Sequence, residues 1–231
     1  MWSGPRNIST ALMRAWGSRA DCHVVDEPFY ASYLARTGLA HPGRVAVLAA
    51  QPADWRTVVR ALTDDPLPGT ATVAYQKHMA QHVPPDLEPS TLDGLRHAFL
   101  IREPAEVAVS YAKVRGEPTL EDLGLPQQLD LFERYGGPVV DARDVLQRPE
   151  PLLRALCAAL DVPFDPAMLS WATGPRSTDG VWGEHWYAGV WGSTGFAAYR
   201  PPVQSVPDRL RPLIERCRPL YDALAVHRLD P

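Results

Sequence analysis

Four short apolar runs, rich in β-branched residues, are spread along the chain: residues 22–26 (CHVVD), 70–76 (TATVAYQ), 97–101 (HAFLI) and 138–141 (PVVD). Each reads as a strand buried on both faces. The segments between them follow another rhythm. In residues 52–62, Trp55, Val58, Val59 and Leu62 recur at spacings of three and four, and in residues 104–113 Val107, Ala108 and Tyr111 do the same, with Pro104 suited to a first helical turn. Strands alternating with helices predict parallel β-α-β units, and so an α/β fold of three layers with a mostly parallel central sheet flanked by helices.

The last third changes character. Residues 152–160 and 209–224 have amphipathic helical period, whereas 171–199 is rich in Gly and Ser, holds Trp171, Trp182, Trp186 and Trp191, and has no clear period. A long aperiodic stretch inside a compact domain is usually a functional loop or lid. Its tryptophans, with His185 and Tyr187, fit a cover over an acceptor and ordinary core material equally well.

Length and charge narrow the class. With 231 residues the chain is near the upper edge of what one hydrophobic core serves, so a single domain over 1–231 is expected. A formal charge of -4 argues against a nucleic-acid or anionic-membrane binder. Cys22, Cys157 and Cys217 are too scattered for a disulfide framework or a thiolate metal site, which fits a reducing cytosol and a cytoplasmic location. No run approaches the roughly 20 apolar residues of a membrane span, nor do the first residues have a secretory layout. The 24 prolines and 16 glycines fall at segment ends and act as punctuation.

Two short motifs carry chemistry. The first is Ser3-Gly4-Pro5-Arg6-Asn7-Ile8-Ser9-Thr10, followed by apolar residues at helical spacing. Ser9 and Thr10 would sit in the first turn of that helix, where unpaired backbone N–H groups and the helix dipole favour an anion, and Arg6 adds a fixed positive fork. The same residues also fit an ordinary N-cap beside a solvated arginine. A Walker lysine is missing. Only Met1 and Trp2 precede Ser3, so either the true start lies upstream or the sheet carries a stub of strand here. The second motif is Arg102-Glu103-Pro104 at the end of the HAFLI run, with Ser110 eight residues after the arginine. An arginine leaving the C-terminal end of a buried strand lies where open α/β sheets bind ligands, although a salt-bridged strand end would look alike.

Together these residues resemble the sulfotransferases that use 3′-phosphoadenosine 5′-phosphosulfate. The opening motif is similar to that family's 5′-phosphosulfate loop, and Arg102 with Ser110 is similar to its 3′-phosphate motif, at the same interval. Residues 139–169 resemble the family's strand, the acidic residue after it, and a helix ending in Leu-x-x-Pro-Phe. The resemblance implies a P-loop-like fold and a sulfuryl transfer to a hydroxyl of a small-molecule acceptor. It implies that Pro5, Arg6, Asn7, Ile8, Ser9 and Thr10 hold the 5′-phosphosulfate, and that Arg102 and Ser110 hold the 3′-phosphate. Arg6 stands where many members have Lys, and Ile8 replaces a usual Gly, which makes a left-handed backbone at that position less easy. The family's late Arg-Lys-Gly loop has no clean match; Ser193, Thr194 and Gly195 occupy the comparable region and are expected to substitute. A P-loop phosphotransferase and a non-catalytic nucleotide binder are the rival readings, and a monomer or homodimer is expected.

Sulfuryl transfer needs a base for the acceptor's proton but demands no metal, because the transferred group carries less charge than a phosphoryl group. Glu27, at the end of the CHVVD run, resembles the acidic base of some carbohydrate and bacterial members and is preferred; His78, with Lys77 beside it, is the competitor after the TATVAYQ run. His78 and His82 lie four apart and would share a helix face, but no third zinc ligand accompanies them.

Overall fold

The computed structural model describes residues 1–201 and 205–231. In chain order its elements are β1 (Trp2–Ser3), α1 (Ser9–Trp16), β2 (Cys22–Asp26), α2 (Tyr30–Thr37), α3 (Arg44–Ala50), α4 (Trp55–Thr63), β3 (Val73–Met79), β4 (Phe99–Ile101), α5 (Pro104–Arg115), α6 (Leu125–Tyr135), β5 (Val139–Asp141), α7 (Ala142–Gln147), α8 (Pro149–Ala159), α9 (Gly183–Trp186), α10 (Ala188–Trp191) and α11 (Arg211–Ala225). Helices follow every strand but β3, which leads to β4 through short 3₁₀ turns, and the ladders between these strands are parallel, which is the predicted α/β class. The elements form two compact units: one of Met1–Ile8, Arg96–Phe164 and Ala197–Pro231, the other of Ser9–Leu95 and Asp165–Phe196.

In the first unit β4 pairs with β1 on one side and β5 on the other, with Trp2 opposite Phe99 and Ile101 opposite Asp141. Phe99, Leu100, Val139 and Val140 are fully buried, as continuous apolar runs in a parallel sheet should be. The first strand, Trp2–Ser3, is two residues long. It is held by more than its ladder: the Trp2 N–H donates to the Ala98 carbonyl at 2.8 Å, and its indole N–H donates to His97 Nδ1 at 2.9 Å. From α6, the buried Gln128 amide donates to the carbonyls of Trp2 (3.2 Å) and Leu100 (2.9 Å), so the sheet's backbone is satisfied from the helical layer. Pro104 opens α5, as its fixed φ predicts.

In the second unit β2 and β3 run parallel from Cys22↔Val73 to Asp26↔Lys77. Here the sequence expectation needs a correction: β3 spans Val73–Met79, not 70–76. Thr72 and Val73 both donate to the Asp21 carbonyl at the strand's entry, after a turn at Gly69, whose φ is 61°. At the far end Lys77, His78 and Met79 are buried, so tertiary partners keep polar residues in the strand where composition alone signals its end. His78 and His82 therefore do not share a helix face: His78 lies in β3, and His82 ends a short 3₁₀ turn, Ala80–His82.

The aperiodic segment packs by its aromatic residues. Trp171, Trp182 and Tyr187 are buried, Trp186 and Trp191 are half-buried, and His185 is exposed. Asp179 ties the segment to α1 by accepting from both terminal nitrogens of buried Arg14, at 2.6 and 2.7 Å, and from the Trp191 indole at 2.9 Å. For Trp171, Trp182 and Tyr187 the core reading holds.

Candidate active site

The loop after β1 is shaped by three constraints within the first unit. Gly4 runs so close to the Leu123 carbonyl that a Cβ would lie 2.4 Å from its oxygen, which only glycine avoids. Next, Arg6 has a left-handed φ of 56°, a strained conformation for a non-glycine residue. The left-handed residue of this loop is thus Arg6, not the Ile8 position. Asn7 then fixes the exit: its Oδ1 accepts from the Ile8 N–H (2.9 Å) and its Nδ2 donates to the Leu100 carbonyl (3.2 Å), so its amide works on the loop's shape.

That shape brings the two sequence motifs together. Arg6 Nε donates to Ser110 Oγ at 3.0 Å, and Arg102 Nη1 donates to the Arg6 carbonyl at 2.7 Å. Arg102 Nε and Nη2 both meet Glu106 Oε2 at 2.9 Å, and Glu106 Oε1 accepts from Tyr199 at 3.0 Å. Desolvation and then the neighbouring Arg102 weaken the hold of Arg6 on its proton, though a guanidinium stays charged. Among the described residues Arg6 makes no ion pair, so Glu106 offsets the charge of Arg102 and leaves that of Arg6 over. An anion would restore the balance. Pro5, Gly4, Asn7 and Arg102 line a small recess there. Ser9 and Thr10 form the first turn of α1 in the second unit, with Ser9 buried.

The second unit buries a compact ionic group. Register places Asp26 opposite Lys77, and the Lys77 ammonium donates to Asp26 Oδ1 (3.0 Å), Glu27 Oε1 (2.5 Å) and Tyr187 Oη (2.8 Å). All four side chains are buried. Burial raises the Glu27 carboxyl above the usual carboxylate range; Lys77 opposes this and Asp26 adds to it. Burial penalises the Lys77 charge, but Asp26 and Glu27 hold its proton well above the ordinary lysine value. Glu27 has a positive φ of 40°, again strained, stabilised by its own N–H donating to the Lys77 carbonyl at 2.8 Å.

Successive strand residues face opposite ways, so Lys77 and His78 point apart. His78 Nε2 is 3.1 Å from Gln76 Oε1 and its ring packs on Phe29. The imidazole that faces Glu27 is His82, its Nδ1 3.8 Å from Glu27 Oε2 and its ring stacked between Tyr30 and Tyr33 at 4.6 Å each. Burial, then the charges of His41, Lys77 and Arg36, hold His82 well below the ordinary imidazole value, so it is neutral at neutral pH. Asp26, Tyr187 and His82 are the members of this group that sequence reasoning did not single out as catalytic. The available signal was Asp26-Glu27 ending one strand and Lys77 ending its parallel neighbour.

Within the same unit, the structure does not bring the Ser193–Gly195 stretch to the start of α1. Ser193 Oγ accepts from the Trp171 indole (3.0 Å) and donates to the Val190 carbonyl (2.7 Å), and Gly195 bridges to Ser170. Thr194 lines a groove with Gly17 and Ser18, at the C-terminal end of α1, whereas Ser9 and Thr10 open that helix.

One set of parallel strands thus leads into an arginine–hydroxyl cluster and the other into a buried carboxylate–lysine group. The chain belongs to the sulfotransferase-domain family, whose model matches residues 1–228. It is 36% identical over 233 residues to Branched-chain-amino-acid aminotransferase-like protein 1 of Arabidopsis thaliana, a match covering 98% of this chain and 41% of the relative. Protein 2 of that name, from the same plant, is 33% identical over 231 residues with the same coverage. The chain thus spans about two-fifths of the length of these relatives. Among solved structures, a sulfotransferase domain from the curacin biosynthetic pathway is similar with a TM-score of 0.46 at 15% identity, covering 100% of this chain and 90% of that one. A sulfotransferase domain from the Synechococcus PCC 7002 olefin synthase gives 0.45 at 15% identity, covering 93% and 92%. No helix among the described residues is long and apolar enough to cross a membrane.

Proposed function

We propose that this protein transfers a sulfuryl group from 3′-phosphoadenosine 5′-phosphosulfate to a hydroxyl of a small molecule. The observation that carries the reading is the convergence of Arg6, Arg102 and Ser110 through contacts of 2.7 and 3.0 Å, because these residues come from the two motifs that resemble donor-binding sequences. In this reading Arg6, the loop from Pro5 to Ile8, and the first-turn hydroxyls of Ser9 and Thr10 hold the 5′-phosphosulfate; Arg102 and Ser110 hold the 3′-phosphate. The acceptor oxygen forms a bond to sulfur as the bond from sulfur to the 5′-phosphate oxygen breaks. Charge then grows on that phosphate, where the Arg6 guanidinium stabilises it.

The acceptor's proton goes to Glu27. A general base works best when its proton affinity approaches the working pH, and burial beside Asp26 moves Glu27 in that direction. His78 is the weaker choice, since its ring is bonded to Gln76 and packed on Phe29. Lys77 donates all three protons to Asp26, Glu27 and Tyr187, so it acts on the base and not on the phosphate. The three scattered cysteines, Cys22, Cys157 and Cys217, fit a reducing, cytosolic setting.

The test is transfer from radiolabelled donor to a panel of alcohols and phenols, with a chelator present. Labelled sulfate ester, lost in Arg6→Ala, is the expected product. Absence of transfer together with phosphorylation of the panel by ATP and Mg²⁺ would overturn the reading in favour of a phosphotransferase.

A further inference from the structure

The hydrogen bonds of the buried ionic group are unevenly divided between its two carboxylates. Asp26 accepts from Lys77 at 3.0 Å, from the Gly180 N–H at 3.0 Å, and from the Tyr187 hydroxyl at 2.7 Å. Glu27 Oε1 accepts from Lys77 and its Oε2 faces His82 across 3.8 Å, while the nearby Tyr187 hydroxyl adds a smaller stabilising contact to the carboxylate. The Tyr187 hydroxyl is itself saturated: it accepts from Lys77 at 2.8 Å and from the Trp182 indole at 3.0 Å, and its one proton goes to Asp26. Neutral donors thus share the Asp26 carboxylate with Lys77.

We infer that Tyr187 is a positioning residue for the base: by donating to Asp26, it releases part of the Lys77 ammonium to Glu27 and so sets how readily Glu27 takes a proton. The inference rests on the reading of Glu27 as base, but the control it describes is a property of the buried group alone. Every charged or titratable group facing Glu27 enters: Asp26 beside it on β2, Lys77 on β3, His82 on the 3₁₀ turn, and Tyr187 from the aperiodic segment. Of these, Tyr187 alone comes from the segment that Asp179 ties to α1. The charge of the base is thus linked to the seating of that segment, which the remaining members of the group cannot report.

Losing the Tyr187 hydroxyl makes Asp26 compete harder for Lys77, which leaves Glu27 less stabilised as an anion. Losing the Asp26 charge does the opposite, since it removes both a competitor and a like charge. The experiment is a pH titration of the full chain labelled with ¹³C at the glutamate carboxyl, the Glu27 resonance being the one missing in Glu27→Gln. In Tyr187→Phe the Glu27 midpoint should rise by about half a pH unit or more, part of what one hydrogen bond to a charged group contributes. In Asp26→Asn it should fall. A purely structural role would lower thermal stability without opposite movements of one midpoint. An unmoved or lowered midpoint in Tyr187→Phe overturns the inference, and if that variant does not fold, an unmoved or raised midpoint in Asp26→Asn does so. Should both midpoints move as expected while Glu27→Gln still turns over, the tyrosine's control stands and the base assignment falls; the reverse pattern separates them the other way.

Discussion

The arginine pocket of the first unit and the ionic group of the second treat charge in opposite ways. Around Arg6 the guanidiniums reach a backbone carbonyl, a serine hydroxyl and, from Arg102, the Glu106 carboxylate, so positive charge is left over. Around Lys77 every ammonium proton has an acceptor and the excess is negative, one lysine between two carboxylates. An open cationic surplus waits for a ligand, whereas a buried anionic surplus is relieved by taking up a proton. In the proposed reading the first surplus serves binding and the second serves proton transfer.

Sharpening that contrast begins with the buried group. Glu27→Gln should cost about 10²- to 10⁴-fold in turnover, the usual worth of a positioned base, with no loss of thermal stability. The sign of its pH effect follows from linkage: the raised Glu27 carboxyl binds more protons folded than unfolded, so stability falls as pH climbs from the ordinary carboxylate range through the folded value. Melting curves across that window should show a shallower fall in Glu27→Gln than in the native chain; identical slopes would mean that Glu27 is not perturbed.

Lys77→Met leaves two buried carboxylates without their cation, and urea unfolding should register a loss of about 3–5 kcal/mol. A loss below about 1 kcal/mol would place the group in contact with water and weaken the contrast. Ser110→Ala is the mildest change: it removes one hydroxyl from Arg6, and titration calorimetry with 3′-phosphoadenosine 5′-phosphate should show a weakening of about 1 kcal/mol. Unchanged affinity there would assign Ser110 to holding Arg6 alone.

Much of this architecture is legible in the chain because it depends on local signals. The CHVVD run forms β2 over its whole length, and Pro104 starts α5 where its ring geometry requires. What was not legible depends on partners distant in sequence. The end of β3 moved because Lys77 is paired with Asp26, 51 positions away, and Tyr187 joins the ionic group across 161 positions. A polar residue looks like a strand end until its partner is known. The same holds for His82, whose spacing from His78 suggested a helix face, while its neighbours are Tyr30, Tyr33 and Glu27. Asn7 shapes the loop through Ile8 and Leu100, contacts its place in the motif did not reveal.

The decisive experiment compares calorimetric binding of 3′-phosphoadenosine 5′-phosphate and AMP to the native chain and to Arg102→Ala. If Arg6 and Arg102 hold the two ends of one nucleotide, the 3′-phosphorylated ligand binds roughly 30-fold more tightly, a difference of about 2 kcal/mol, and Arg102→Ala removes that advantage while leaving AMP binding unchanged. Equal affinity for both ligands in the native chain, or an advantage that survives in the variant, would contradict the proposed donor site.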